Sequence, residues 1–169
     1  VTTARQPLPG DFAVTSIVGP VGFLISLGER LNGSRFGHWD HAFVYVGDGQ
    51  LVEAEPGGAR LAGLDEYQGR PVLWSTGHVE LTDEQRTAIV GAARSYIGVP
   101  YGFADYLALA LWHFRLRIPW ARKVMASRAS LICSQLCDAA YEAAGVHLFA
   151  DGREPGDVTP ADLAALLGH

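Results

Sequence analysis

The run His41-Ala42-Phe43-Val44-Tyr45-Val46-Gly47-Asp48-Gly49-Gln50-Leu51-Val52-Glu53-Ala54-Glu55-Pro56 decides how this chain is read. Two β-rich segments flank Gly47-Asp48-Gly49, the composition of a hairpin turn. Strand side chains alternate between faces, so the register of the hairpin settles which residues become neighbours. A two-residue loop sets Glu53 opposite Val44, away from His41. A three-residue loop with Gly49 in the left-handed region pairs Tyr45 with Leu51 and Phe43 with Glu53, and puts Glu55 opposite His41. On that register both glutamates share the histidine's face.

Upstream, Gly10-Asp11 reads as a turn into a short strand, Phe12-Ala13-Val14-Thr15, and Val21 to Leu31 has helical apolar spacing. Downstream, Pro71-Val72-Leu73-Trp74 predicts a strand and Val79-Glu80-Leu81 another. Thr82-Asp83-Glu84-Gln85 is a capping box opening a helix with apolar residues Ile89, Ala92, Ala93, Tyr96 and Ile97, ended by Gly98 and Pro100. Tyr106 to Phe114 is apolar and predicted helical. A helix from about Leu131 to Ala144 carries Cys133, Leu136, Cys137, Ala140 and Ala144 on one stripe, with Gln135, Asp138 and Glu142 on the other side. A last helix starts at Thr159 and Pro160 and stops at Gly168. The pattern predicts an α+β fold.

The 169 residues are expected to form a single domain, 1–169, burying roughly 70% of the surface of the unfolded chain. With 49% hydrophobic and 18% charged residues, a disordered tail or a coiled coil is a poor reading. The net charge of −5 argues against a broad nucleic-acid-binding surface. Charge is uneven, however: no Asp or Glu occurs between Tyr106 and Cys137, where Arg115, Arg117, Arg122, Lys123 and Arg128 cluster. This segment is either a solvated basic face or a contact for an anionic substrate or lipid. The chain opens on Val1 without a basic start and apolar run, and Ala13 to Gly28 is too short to span a bilayer. A cytoplasmic location is the default expectation.

Two cysteines do not make a disulfide scaffold, so each must be explained separately. A nucleophilic thiol needs help from a helix N-terminus, an imidazolium, or both. Cys133 is predicted at a helix start that Ser130 can cap, where free backbone N–H groups could also bind an oxyanion. His41 would supply the imidazole, and Glu53 or Glu55 would fix its tautomer and orientation. Each residue also has a plain reading: Cys133 as core, His41 as a buried strand histidine, the glutamates as surface residues.

Asp40 to Ala54 resembles the His-bearing hairpin of NlpC-like papain-fold cysteine peptidases, written H-V-G-I-Y-L-G-x-G-x-x-I-H-A, and Gly10-Asp11 resembles the Gly-Asp step before it. In those enzymes the Cys helix comes first. Here Ile132-Cys133-Ser134-Gln135-Leu136 follows the hairpin and is similar to the C-S-E-L pattern of the circularly permuted branch, the YiiX-like permuted papain-like amidases. Gly98-Val99-Pro100-Tyr101 is similar to the family's G-x-P-Y segment, and Val158 to Leu163 to its C-terminal helix start. The resemblance implies a permuted papain-like domain with an antiparallel sheet packed against the Cys133 helix. It implies Cys133 as nucleophile, His41 as base and Glu53 as third residue, the last favoured over Glu55. Tyr101 matches a tyrosine beside the cysteine, and Ser134 adjoins the oxyanion-binding turn. Gln135 departs from the usual Glu.

The activity so implied is cofactor-free cleavage of an amide bond in a peptide, a peptidoglycan fragment or an acylated substrate. Alternatives are a lipid-directed acyltransferase or thioesterase on the same Cys/His core, with a membrane-surface contact through 107–128, and an inactive binding module. A zinc site from His38, His41, Cys133 and Cys137 is a rival for the same residues. It is disfavoured because Cys137 lies on the apolar stripe one turn inside its helix.

Overall fold

The computed structural model describes residues 6–16, 39–55, 58–98 and 133–169. Five strands, β1 (Phe12–Thr15), β2 (His41–Gly47), β3 (Gln50–Glu55), β4 (Gly58–Gly63) and β5 (Val72–Trp74), form one sheet in the order β4-β3-β2-β1-β5. Every pairing between them is antiparallel. Three α-helices follow among the described residues: α1 (Asp83–Ser95), α2 (Cys133–Ala143) and α3 (Pro160–Leu166). The fold is therefore mixed α+β.

The β2–β3 hairpin has the expected register, Phe43 against Glu53 and Tyr45 against Leu51, reached by a different route. The pairing shifts between Tyr45 and Gly47, so Gly47 faces Gln50 and only Asp48 and Gly49 are left in the turn. Both have positive φ, 52° and 68°, as a two-residue type I′ turn demands. A tight turn plus a bulge thus produces the register of a three-residue loop.

Alternation along the strands divides the sheet's residues between two clusters. Phe12, Val14, Ala42, Val44, Val52 and Ala54 enter the main core with Ile89 and Ala93 of α1, and with Leu136, Cys137, Ala140 and Tyr141 of α2. Ala13, Phe43 and Leu51 belong to the opposite face, where Tyr67, Val72 and Trp74 cover them. His41 and Glu53 share the Phe43 face, since they stand at odd positions of β2 and β3 in the observed register.

Gly10-Asp11 ties the sheet to the helices. Gly10 has φ 91°, and a Cβ there would meet Arg86 Cα at 3.1 Å, so the position takes only glycine comfortably. Its carbonyl accepts a 2.8 Å hydrogen bond from the buried Tyr141 hydroxyl of α2. Asp11, fully buried, pairs with Arg86 at 2.8 Å and accepts from Thr76 Oγ1 at 2.7 Å and Leu8 N at 2.9 Å.

Helix α1 opens on the predicted Thr82–Gln85 capping box, and α3 on Thr159 with Pro160 in its first turn. Three expectations are corrected. Val79-Glu80-Leu81 is no strand: a single bridge between Thr76 and Val79 is the extent of its pairing. Ile97 lies beyond the C-cap Tyr96 and is exposed. Gln135 and Asp138 of α2 are buried, not solvent-facing, because the 154–158 segment packs against that side: Gln135 Nε2 donates to the Gly156 carbonyl at 2.9 Å. The predicted helices over 21–31 and 106–114, the Ser130 cap and the basic cluster at 115–128 lie outside the described residues.

Candidate active site

His41 is the first residue of β2, 3% exposed, with Thr15 of β1 as its neighbour across the sheet. Its Nε2 stands 2.7 Å from Glu53 Oε2. Glu53 faces Phe43 in the register, so it reaches His41 diagonally, a separation that two long polar side chains can bridge. A carboxylate can only accept, so Nε2–H is the donor in this contact when Glu53 is ionised, and Nδ1 is the other ring nitrogen.

Cys133, at the start of α2, lies near enough for its sulfur to act on the His41 ring. This approach joins the first residue of β2 to the first residue of α2. Burial opposes a charge on the ring, but the sulfur and the Glu53 carboxylate together outweigh it and push the His41 pKa up to about 10. An imidazolium is therefore the favoured state when a negative charge sits on the sulfur. Burial also opposes a charge on Glu53, yet its hydrogen bond to His41, the His41 charge, the Tyr67 hydroxyl and Arg60 hold its carboxyl below the ordinary range.

Glu55, the other glutamate of the strand, does not reach the histidine by any hydrogen bond seen here. It is 44% exposed and lies 3.1 Å from Arg60 Nε. Of the two glutamates, Glu53 is the one hydrogen-bonded to His41.

Two residues that the sequence did not single out complete the cluster. Arg60 of β4 lies directly across β3 from Glu53, with Nη2 2.6 Å from Glu53 Oε1. Tyr67, in the 3-10 turn Leu64–Tyr67, donates a hydrogen bond from its hydroxyl to Glu53 Oε2, the oxygen that also contacts His41 Nε2. The Tyr67 ring stacks on His41, with centroids 6.0 Å apart and planes 16° from parallel, and contacts Phe43 at 4.9 Å. Arg60 had a legible signal: counted outward from Pro56-Gly57, Glu53 and Arg60 are equidistant. Tyr67 had none, because its position depends on a turn that follows an unrecognised strand.

Ser134 is buried and its hydroxyl donates to the Val158 carbonyl at 2.7 Å, so its side chain is committed to packing α2 against the 154–158 segment. Its backbone N–H remains part of the first turn of α2. Cys137 is fully buried in the main core, and burial, with Cys133 close by, pushes its thiol well up. Tyr101 and His38 lie outside the described residues. No group of three or more His, Cys, Asp or Glu side chains among the described residues could hold a metal ion. No described helix is long and apolar enough to cross a membrane.

Compared with known protein families and with curated proteins, the chain matches no family model and no curated sequence. The chemistry of the cluster must therefore carry the functional reading. A partly exposed thiol, an imidazole near it, and a buried carboxylate bonded to the imidazole's Nε2 are the groups that could move one proton off sulfur and onto a leaving group.

Proposed function

We propose that this protein is a cysteine hydrolase of the permuted papain-like type, cleaving an amide bond through Cys133, His41 and Glu53. The observation that carries the reading is the placement of His41, near the Cys133 sulfur and hydrogen-bonded through Nε2 to the buried Glu53. His41 takes the thiol proton, and the thiolate attacks the carbonyl carbon of the substrate. Backbone N–H groups in the first turn of α2 stabilise the oxyanion. Protonated His41 then gives its proton to the departing amine, the C–N bond breaks, and an acyl group remains on Cys133. His41 deprotonates a water molecule, which attacks the thioester and releases the acid and the thiol. Glu53 keeps the ring in the tautomer that presents Nδ1 to sulfur and stabilises the imidazolium.

The order of the elements, with the histidine hairpin before the cysteine helix, and the sheet packed against that helix are what favour a permuted papain-like arrangement. The substrate class is an acyl amide, peptide or cell-wall peptide.

The test is intact-mass analysis after mixing the protein with a panel of activated acyl esters and peptide amides. A transient acyl adduct on Cys133, absent in Cys133→Ala and accumulating far more slowly in His41→Ala, is the expected result. No adduct with any member, together with equal iodoacetamide labelling of the native protein and His41→Ala, would overturn it.

A further inference from the structure

Glu53 is the most deeply buried charged group of the cluster, with no exposed surface. A carboxylate in such a place pays heavily for its charge, and the neutral acid becomes the easier state unless neighbours hold the anion. One hydrogen bond to His41 does not do this, because the same ring must also serve the sulfur. Two further groups converge on Glu53 from separate elements, and they act in different ways.

The Tyr67 hydroxyl is a hydrogen-bond donor to Oε2. Burial and the bond to Glu53 raise its own pKa, so it stays protonated and keeps donating. Its ring is fixed by Phe43 and by the stack on His41, and the Arg70 guanidinium stands 5.1 Å from its centroid. Arg60 contributes charge in place of an aligned bond. Its Nη2 is 2.6 Å from Oε1, yet Oε1 accepts no hydrogen bond. Arg60 is itself held by the exposed Glu66, Nη2 to Oε2 at 2.8 Å, and by Glu55.

We propose that Arg60 and Tyr67 are positioning residues for the Cys133–His41–Glu53 centre: Arg60 keeps Glu53 ionised, and Tyr67 fixes which way its carboxylate faces. The inference rests on the hydrolase reading above, and it assigns roles within that centre to two residues on elements outside the His41 hairpin. Among the described residues, the charged and titratable groups around Glu53 include His41 from β2, Glu55 from β3, Arg60 from β4, Glu66 and Tyr67 from the 3-10 turn, Arg70 over the Tyr67 ring, and Cys133 near His41. Arg60 and an imidazolium are the cations in contact with its carboxylate. Removing the first leaves the second as its contacting counter-charge.

The experiment follows His41 by NMR in a ring-labelled protein while pH is varied, and in parallel measures the rate of Cys133 alkylation by iodoacetamide. Arg60→Met is expected to lower the His41 titration midpoint by about one unit or more, a unit being a factor of ten in its protonation equilibrium, and to slow alkylation in the same direction. Arg60→Lys is expected to recover most of both, since the contact is one of charge. Tyr67→Phe keeps the ring wall and should lower the midpoint by less, while broadening the ring signals through loss of a single orientation. Glu66→Gln removes an anion that shares Arg60 with Glu53, so it keeps the question open to measurement even if Arg60→Met does not fold; a smaller shift in the opposite direction, upward, is expected.

Unchanged midpoints in Arg60→Met, Tyr67→Phe and Glu66→Gln, or in the last two where Arg60→Met does not fold, would overturn the proposal, whatever their melting temperatures. Failure of the hydrolase reading shows differently. Alkylation would then be equally slow in the native protein and in His41→Ala, while the His41 midpoint would still respond to Arg60.

Discussion

Glu53 and His41 are diagonal neighbours across the β2–β3 pair, joined Oε2 to Nε2 at 2.7 Å, with the carboxylate fully buried. Glu55, two residues further along the same strand and on the same face, is half-exposed and engaged with Arg60. One strand therefore carries two glutamates with opposite environments, and their substitution should separate cleanly. Glu53→Gln keeps an acceptor for both the ring and Tyr67 but removes the charge that favours the imidazolium. It is expected to slow acyl transfer and Cys133 alkylation at pH 7 by about 10²-fold, the usual scale for disabling acid–base assistance. Glu55→Gln should stay within about threefold. Alkylation rates on the two variants check this, and the reverse ranking would show that the carboxylate at 55 is the one that matters.

The two cysteines should differ in the same assay. Cys133 is partly exposed beside His41, whereas Cys137 is fully buried and its thiol is pushed well up by burial. Iodoacetamide at neutral pH should add a single equivalent, placed on Cys133 by peptide mapping, and Cys137 should react only in denaturant. Labelling of both at similar rates in the folded protein would contradict the assigned burial.

The hairpin was legible because glycine and aspartate break a run of alternating β-formers, and register follows from counting across the turn. The strand β4 was not. Gly58-Ala59-Arg60-Leu61-Ala62-Gly63 has little intrinsic β preference, and it is a strand because β3 offers it a ladder. Losing β4 meant losing Arg60, which sits on it, and Tyr67, whose turn follows it. The buried side of α2 was hidden for a related reason. Gln135 and Asp138 look like a polar face by local spacing, and only the return of residues 154–158 buries them. His41, Glu53 and Cys133 could be singled out in the sequence because thiol chemistry calls for these residue types, and the resemblance supplied the spacing.

Asp11 tests whether the Gly10-Asp11 step is architectural. Its carboxylate takes the Arg86 guanidinium, the Thr76 hydroxyl and the Leu8 N–H, joining the turn before β1 to α1 and to the segment after β5. Asp11→Ala strands a largely buried arginine and two further donors, at a cost of about 3 kcal/mol. Urea unfolding should show that loss. The Cys133 alkylation rate of the fraction that remains folded should match the native protein, because none of these groups touches His41. A slowed rate at full foldedness would instead connect this turn to the reactive centre.

Asp138 predicts a stability change of the opposite sign. It is 2% exposed in α2 and borders a cavity of about 280 Å³ shared with Glu142, His147 and Arg153. Burial, and then the Glu142 charge, raise its pKa from an ordinary 3.8 to about 6, against the pull of Arg153 and His147. Between those two values the folded chain holds a proton that the unfolded chain has released. Rising pH through this window therefore removes stability, and the full penalty is present above about pH 6. Asp138→Asn stands in for the protonated acid and does not pay that penalty. It should be more stable than the native protein by about 2 kcal/mol at pH 7.5, with the advantage gone below about pH 4. Urea midpoints for the two proteins at pH 7.5 and pH 4 measure it directly. A pH-independent difference, or a variant less stable at pH 7.5, would mean that Asp138 is held as an anion by its neighbours instead of being disfavoured by its burial.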